Sequence, residues 1–215
     1  MQDFLFYLKL GWEHIISIDA LDHILFVLAL AAVYSFNDLK KLIILVTAFT
    51  IGHSITLVLS VFNILRVPSD WVEFLIPLTI VITALDNILM RNHQKTLMSM
   101  NYYLALFFGL IHGMGFANLA RMTLAKEQSL AIPLLGFNIG LELGQIAVVL
   151  AILVILFILL NIFKVNRKDW ILFISSAVFA LSLQMSLDRI LFFFCVYFFF
   201  FLIFFLFFLF FFFFF

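Results

Sequence analysis

An all-α, polytopic bundle of transmembrane helices is what this sequence predicts, and three observations predict it. Of 215 residues, 67% are hydrophobic and only 11% charged. Soluble domains carry about 25% charged residues, so this chain has too little polar surface to cover a soluble globule. The apolar residues gather into stretches near the length of about 20 that crosses a hydrocarbon core. The links between them, such as SFNDLKK and KVNRKD, leave no room for a soluble domain.

Six spans are expected, at 21–36, 42–62, 72–90, 102–119, 130–163 and 170–187. The first is short, and 4–18 leads into it as an interfacial or re-entrant segment, because Lys9, Glu13, His14 and Asp19 forbid a plain lipid-facing helix. The fifth is longer than a bilayer requires, which implies tilt or projection. From residue 191 the chain turns into a Phe-dominated tract of T-rich codons. It carries no small or polar residue by which a bundle could recognise it. The expected division is therefore a membrane domain over 1–189 and a low-complexity tail over 190–215, either a seventh span or a translated T-rich tract.

Lys40, Lys41, Arg91, Lys95, Lys164, Arg167 and Lys168 fall on one side, and Lys9, Arg66, Arg121, Lys126 and Arg189 on the other. The positive-inside rule then puts the odd loops in the cytoplasm and the N-terminus outside. The opening MQDFLFYLKL lacks a basic n-region and cleavage site, so no removable signal peptide is expected. Zero net charge argues against a nucleic-acid partner. The single cysteine, Cys195, excludes a disulfide framework or a thiolate centre within one copy.

Against this apolar background His23, His53, His112 and Glu142 stand out. An ionisable group in a span costs roughly 2–3 kcal/mol on insertion scales, so such groups face a cavity or one another. Imidazole with carboxylate suits a borderline divalent cation, and the absence of a core cysteine disfavours Cu(I). Asp19 lies four residues before His23 and Asp22 directly precedes it, so a carboxylate can fix the ring's tautomer. Ser54 and Thr50 accompany His53, and Gly109, Gly113 and Gly115 surround His112, allowing close helix contact or an unwound turn beside a cavity. On the fifth span Asn138, Glu142 and Gln145 share an arc of about 60°, while Gly136, Gly140 and Gly144 form an opposite stripe. Small residues at that spacing let a second backbone approach. With Asp86 near the inner face, the histidines are expected to form a ladder, His23 outermost and His53 and His112 at mid-membrane. His14 is either a ligand at the way in or an interfacial residue, and His93 belongs to a solvated loop.

The strings carrying these residues resemble the HupE/UreJ family of hydrogenase and urease accessory membrane proteins, in its second subgroup. They are His14-Ile15 followed by DHILF at 22–26, FTIGHSITL at 49–57, EFLIP at 73–77, FFGLIHGMGFA at 107–117 and FNIGLELGQ at 137–145. They stand in family order over everything but the tail. The resemblance implies a multi-pass protein of the bacterial inner membrane that moves nickel, or cobalt, to supply metalloenzyme maturation. This chain departs from the commoner pattern in the wide spacing from His14 to His23. It also lacks a His-rich external segment, so metal capture rests on the site itself.

Three functions compete. The first is a divalent-metal permease, with nickel, cobalt or zinc as substrate rather than cofactor. No nucleotide-binding loop is present to drive it. The second is an intramembrane zinc hydrolase, with His23, His53 and His112 in one shell, Asp22 or Glu142 as base and Ser54 assisting an oxyanion. The third is an accessory scaffold whose polar residues merely hydrogen-bond across the bundle, at about 0.6 kcal/mol each. A permease is the expectation, so the chain is not read as an enzyme. Its partners are the metal ion and the bilayer, and a homo-oligomer is left open.

Overall fold

A computed structural model describes residues 2–17, 20–90, 98–116 and 131–214. All regular structure among them is helical: α1 (Gln2–Ile16), α2 (Leu21–Ala32), a 3-10 turn (Phe36–Asp38), α3 (Leu39–Val61), α4 (Ser69–Met90), α5 (Met98–Gly115), α6 (Ala131–Asn161) and α7 (Arg167–Phe214).

Four helices are long and apolar enough to cross a membrane, over Phe36–Val61, Ser69–Leu89, Ala131–Asn161 and Arg167–Ile190. The pair Phe4–Ile16 and Leu21–Ala32, bent by 69°, makes a fifth if it counts as one broken span. The polytopic helical bundle is as expected, and among the described residues four or five of the six expected spans are shown. The one expected at 102–119 is described only as far as residue 116, where α5 carries Asn101, His112 and three glycines within its 18 residues.

The segment before the first span, expected to be interfacial or re-entrant, makes with α2 either a broken span or a re-entrant loop. Lys9 and Glu13 pair on its exposed face at 3.5 Å, while Tyr7, Gly11 and Ile15 are buried on the other. That buried face lies along α6. Phe4 meets Gly136, Leu8 meets Gly140 and Ile15 meets Gly144, so the two helices run parallel. A Cβ on Gly140 would strike the Leu8 carbonyl, and one on Gly11 the Phe137 carbonyl. The glycine stripe of α6 is therefore the seat of α1.

A second close crossing joins α3 to α5, again in parallel, with Phe49 against Gly109 and His53 against Gly113. The glycines around His112 serve close helix contact, and α5 stays helical through them. The hydroxyls of α3 cost little to bury, because Thr50, Ser54 and Thr56 donate to the carbonyls of Val46, Thr50 and Gly52 one turn back. Asn63 then ends the helix in the left-handed region (φ 58°), where the Ile64 N–H reaches the Leu59 carbonyl.

The remaining helices close the bundle around α2. Asn87 of α4 donates to the Ala29 carbonyl at 2.7 Å, and Arg167 of α7 donates to the Val33 carbonyl at 2.7 Å. Phe26 and Phe49 stack with centroids 4.7 Å apart, both nearly inaccessible. The backbone of α7 is helical for 48 residues. At 1.5 Å per residue that is about 72 Å, over twice a hydrocarbon core of about 30 Å.

Candidate metal centre

Four helices deliver imidazoles to one place. The last turn of α1 brings His14, the first turn of α2 His23, the middle of α3 His53 and the last turn of α5 His112. His23 is central. Its ring centroid lies 4.7 Å from that of His14, 5.1 Å from His112 and 6.0 Å from His53. The expected ladder is replaced by a cluster, because the bend between α1 and α2 and the close α3–α5 crossing bring the rings together.

Asp22 orients the central ring. Its Oδ1 accepts the His23 backbone N–H at 2.8 Å and lies 2.9 Å from His23 Nδ1. Nδ1 therefore carries the proton, and Nε2 keeps a lone pair for a cation. That Nε2 is buried without a partner. Asp22 fills the place expected for either carboxylate; Asp19, the other candidate, lies outside the described residues, as does His93.

His112 is set by a residue that sequence reasoning missed. The Thr79 hydroxyl donates to the Ile76 carbonyl at 2.7 Å and lies 3.1 Å from His112 Nε2. Its one proton is spent, so it accepts from Nε2–H and leaves Nδ1 as the basic nitrogen. His112 Nδ1 and both nitrogens of His53 are likewise buried and unpartnered. Basic nitrogens with nothing to bind are costly in an apolar interior, and a metal ion is what such a donor set would satisfy.

Two sets of donor atoms each close to within 4.8 Å: His14, His23 and His53, and Asp22, His23 and His112. They share His23. The three histidines His23, His53 and His112 are not such a set among the described residues, and Ser54 Oγ donates to the Thr50 carbonyl at 2.7 Å. The single shell and the free hydroxyl that a hydrolase would need are therefore not what this geometry offers.

Other expected residues lie apart. Glu142, half-buried, accepts the Thr47 hydroxyl at 2.7 Å, and the Gln145 amide lies 3.0 Å from the Thr50 hydroxyl oxygen. Asn138 Oδ1 is buried without a partner. Asp86 is exposed far along α4. Hence α6 contributes a polar seam along α3 rather than a member of either donor set.

A cavity of about 600 Å³ reaches the cluster from one side, with His14, Asp22, His23 and His112 at its inner end. His53, fully buried, stands behind it. Aromatic rings wall the site. Phe116 lies 4.6 Å from His14, Phe49 5.1 Å from His112 and Phe26 5.4 Å from His112. Such walls exclude water and strengthen any ion–ligand interaction inside.

The family whose model matches, described as HupE / UreJ protein, covers residues 1–196 and so nearly the whole chain. Neither a curated protein nor a solved structure matches. The family is of accessory, transport type, which agrees with reading the chain as a non-enzyme. A metal-associated membrane protein fits both the match and the donor cluster. By that match, extending past every motif quoted above, the chain belongs to the HupE/UreJ family, in its second subgroup.

Proposed function

We propose that this protein is a divalent-metal permease of the bacterial inner membrane, with nickel first and cobalt second, supplying metalloenzyme maturation. The observation that carries this reading is the sharing of His23 between two overlapping donor sets. An ion held by Asp22, His23 and His112 at the end of the open cavity can exchange two ligands while keeping His23. It then rests with His14, His23 and His53. Stepwise exchange avoids a bare ion in an apolar interior, where the desolvation cost would be prohibitive.

The far side of the cluster continues the argument. Thr50 and Thr47 lie about one and two turns before His53 on α3, each joined to α6 through Gln145 and Glu142. This seam leads away from the cavity mouth, and Glu142 is its carboxylate. We assign Glu142 to the outgoing path, with Asn138 and Gln145 as oxygen donors along it. Together with the lysine and arginine count, a mouth on the N-terminal side corresponds to a periplasmic N-terminus and inward passage.

The test is nickel and cobalt uptake by cells expressing the chain, against His23→Ala, His53→Ala, His112→Ala and Glu142→Gln at matched membrane abundance. The histidine changes should each lower uptake at least about tenfold, the range seen when metal-site groups are removed. Uptake unaffected by His23→Ala would defeat the proposal.

A further inference from the structure

The cavity has a guarded mouth. Glu73 stands in the first turns of α4 and Arg189 far along α7, and both line the cavity together with Glu13 and Ser17. Arg189 Nη1 donates to Glu73 Oε2 at 2.6 Å and to the Glu73 backbone carbonyl at 3.3 Å. That carbonyl is free because Pro77, four residues on and inside the helix, has no N–H to offer it. One proline thus prepares a two-point seat for one guanidinium nitrogen.

Among the described residues lining the cavity Arg189 is the one lysine or arginine, against the carboxylates of Glu13, Glu73 and Asp22, with Lys9 beside Glu13 at 3.5 Å. The excess of negative charge draws cations in. The guanidinium sits where an arriving cation would first meet a carboxylate. The pair is half-exposed, at 41% for Arg189 and 52% for Glu73. Exposed pairs of this kind are weak, so a divalent ion can displace one partner. Behind it waits His23, 4% exposed, with an unpartnered Nε2.

We propose that the Glu73–Arg189 pair is a latch across this mouth. A divalent cation arriving at Glu13 and Glu73 replaces the guanidinium on Glu73, Arg189 leaves the mouth, and the way to His14 and His23 opens. The inference rests on the metal-permease reading, and it adds a gate that responds to the substrate's own charge. Arg189 acts by occupying Glu73, so it is a positioning residue. A purely structural pair would only hold α7 to α4.

The experiment reads access without requiring transport. Purified full-length protein in detergent is treated with diethyl pyrocarbonate, and carbethoxylation of His14 and His23 is timed by mass spectrometry. Arg189→Gln should raise the rate about two- to fivefold, the range that a weak ion pair can hold back. The exchanged pair, Glu73→Arg with Arg189→Glu, should return it toward the native rate, which also shows that the fold survives. A native rate in Arg189→Gln, or an exchanged pair as fast as the single variant, overturns the latch.

Nickel uptake then separates the two ideas. Arg189→Gln should lower the half-saturating nickel concentration, and Glu73→Gln should raise it. If neither the native chain nor any variant takes up nickel while the carbethoxylation pattern holds, the latch stands and the permease reading falls.

Discussion

Thr79 and His112 are joined at 3.1 Å by a hydrogen bond whose direction is fixed from outside the pair, since the threonine's proton goes to the Ile76 carbonyl. With that proton so placed the imidazole donates from Nε2, and its buried, unpartnered Nδ1 keeps the lone pair. A threonine on α4 thereby decides which atom of α5 can bind a metal. Outer partners of this kind are worth about 10–100-fold in metal affinity.

Thr79→Val removes the acceptor while keeping the shape of the side chain. Nickel affinity of the purified protein, measured by isothermal titration, should fall about tenfold or more, and Thr79→Ser should restore most of it. Equal affinity in the valine and native proteins would show that the tautomer of His112 is set some other way.

Asp22 touches His23 at 2.9 Å and belongs to one donor set itself. Asp22→Asn keeps the backbone hydrogen bond and removes the charge. It should lower nickel affinity more than Thr79→Val does, because it removes the negative charge beside the donor cluster as well as the strong acceptor that holds the His23 ring. Membrane abundance should stay near native. A loss of binding matched by an equal loss of folded protein would point to a structural role instead.

Much of this site was legible because imidazole is conspicuous among leucine and phenylalanine. His23, His53 and His112 declared themselves by the cost of burying them, whereas His14 reads equally as a ligand at the way in or an interfacial residue. Thr79 gave no such signal. A helical threonine usually satisfies itself on its own backbone, and this one does so as well as serving His112. Glu142 was correctly placed on one face with Asn138 and Gln145. Seven residues of helix span about 10 Å, however, so a shared face does not mean a shared site. The fold divides in the same way. Long apolar runs announced α3, α4, α6 and α7, whereas α1 was hidden by Lys9 and Glu13, whose exposed pairing leaves the opposite face free to seat on α6.

The α1–α6 seat can be tested through two glycines that differ in what they face. A methyl group at Gly140 meets the backbone carbonyl of Leu8, which cannot move alone. At Gly144 it meets the side chain of Ile15, at 3.0 Å from Cβ. Gly140→Ala should destabilise by about 1–3 kcal/mol, as overpacking does. Gly144→Ala should cost less. Thermal unfolding in detergent, followed by circular dichroism, ranks them; the reverse order would contradict this packing.

Residues beyond 190 should be dispensable. The family match ends at residue 196, and the candidate span Arg167–Ile190 lies inside it. A chain stopped after Ile190 keeps Arg189 and every residue of the donor cluster. Its membrane abundance and nickel uptake should equal those of the full chain. A large loss of either would make the Phe-rich segment a working part of the protein.

The most direct test is X-ray absorption at the nickel edge of the purified, nickel-loaded protein. If either donor set built around His23 holds the ion, the spectrum will show nitrogen and oxygen neighbours with the outer-shell scattering of at least two histidine rings, and His23→Ala will abolish it. A spectrum of water and carboxylate oxygens alone, unchanged by His23→Ala, would contradict that claim.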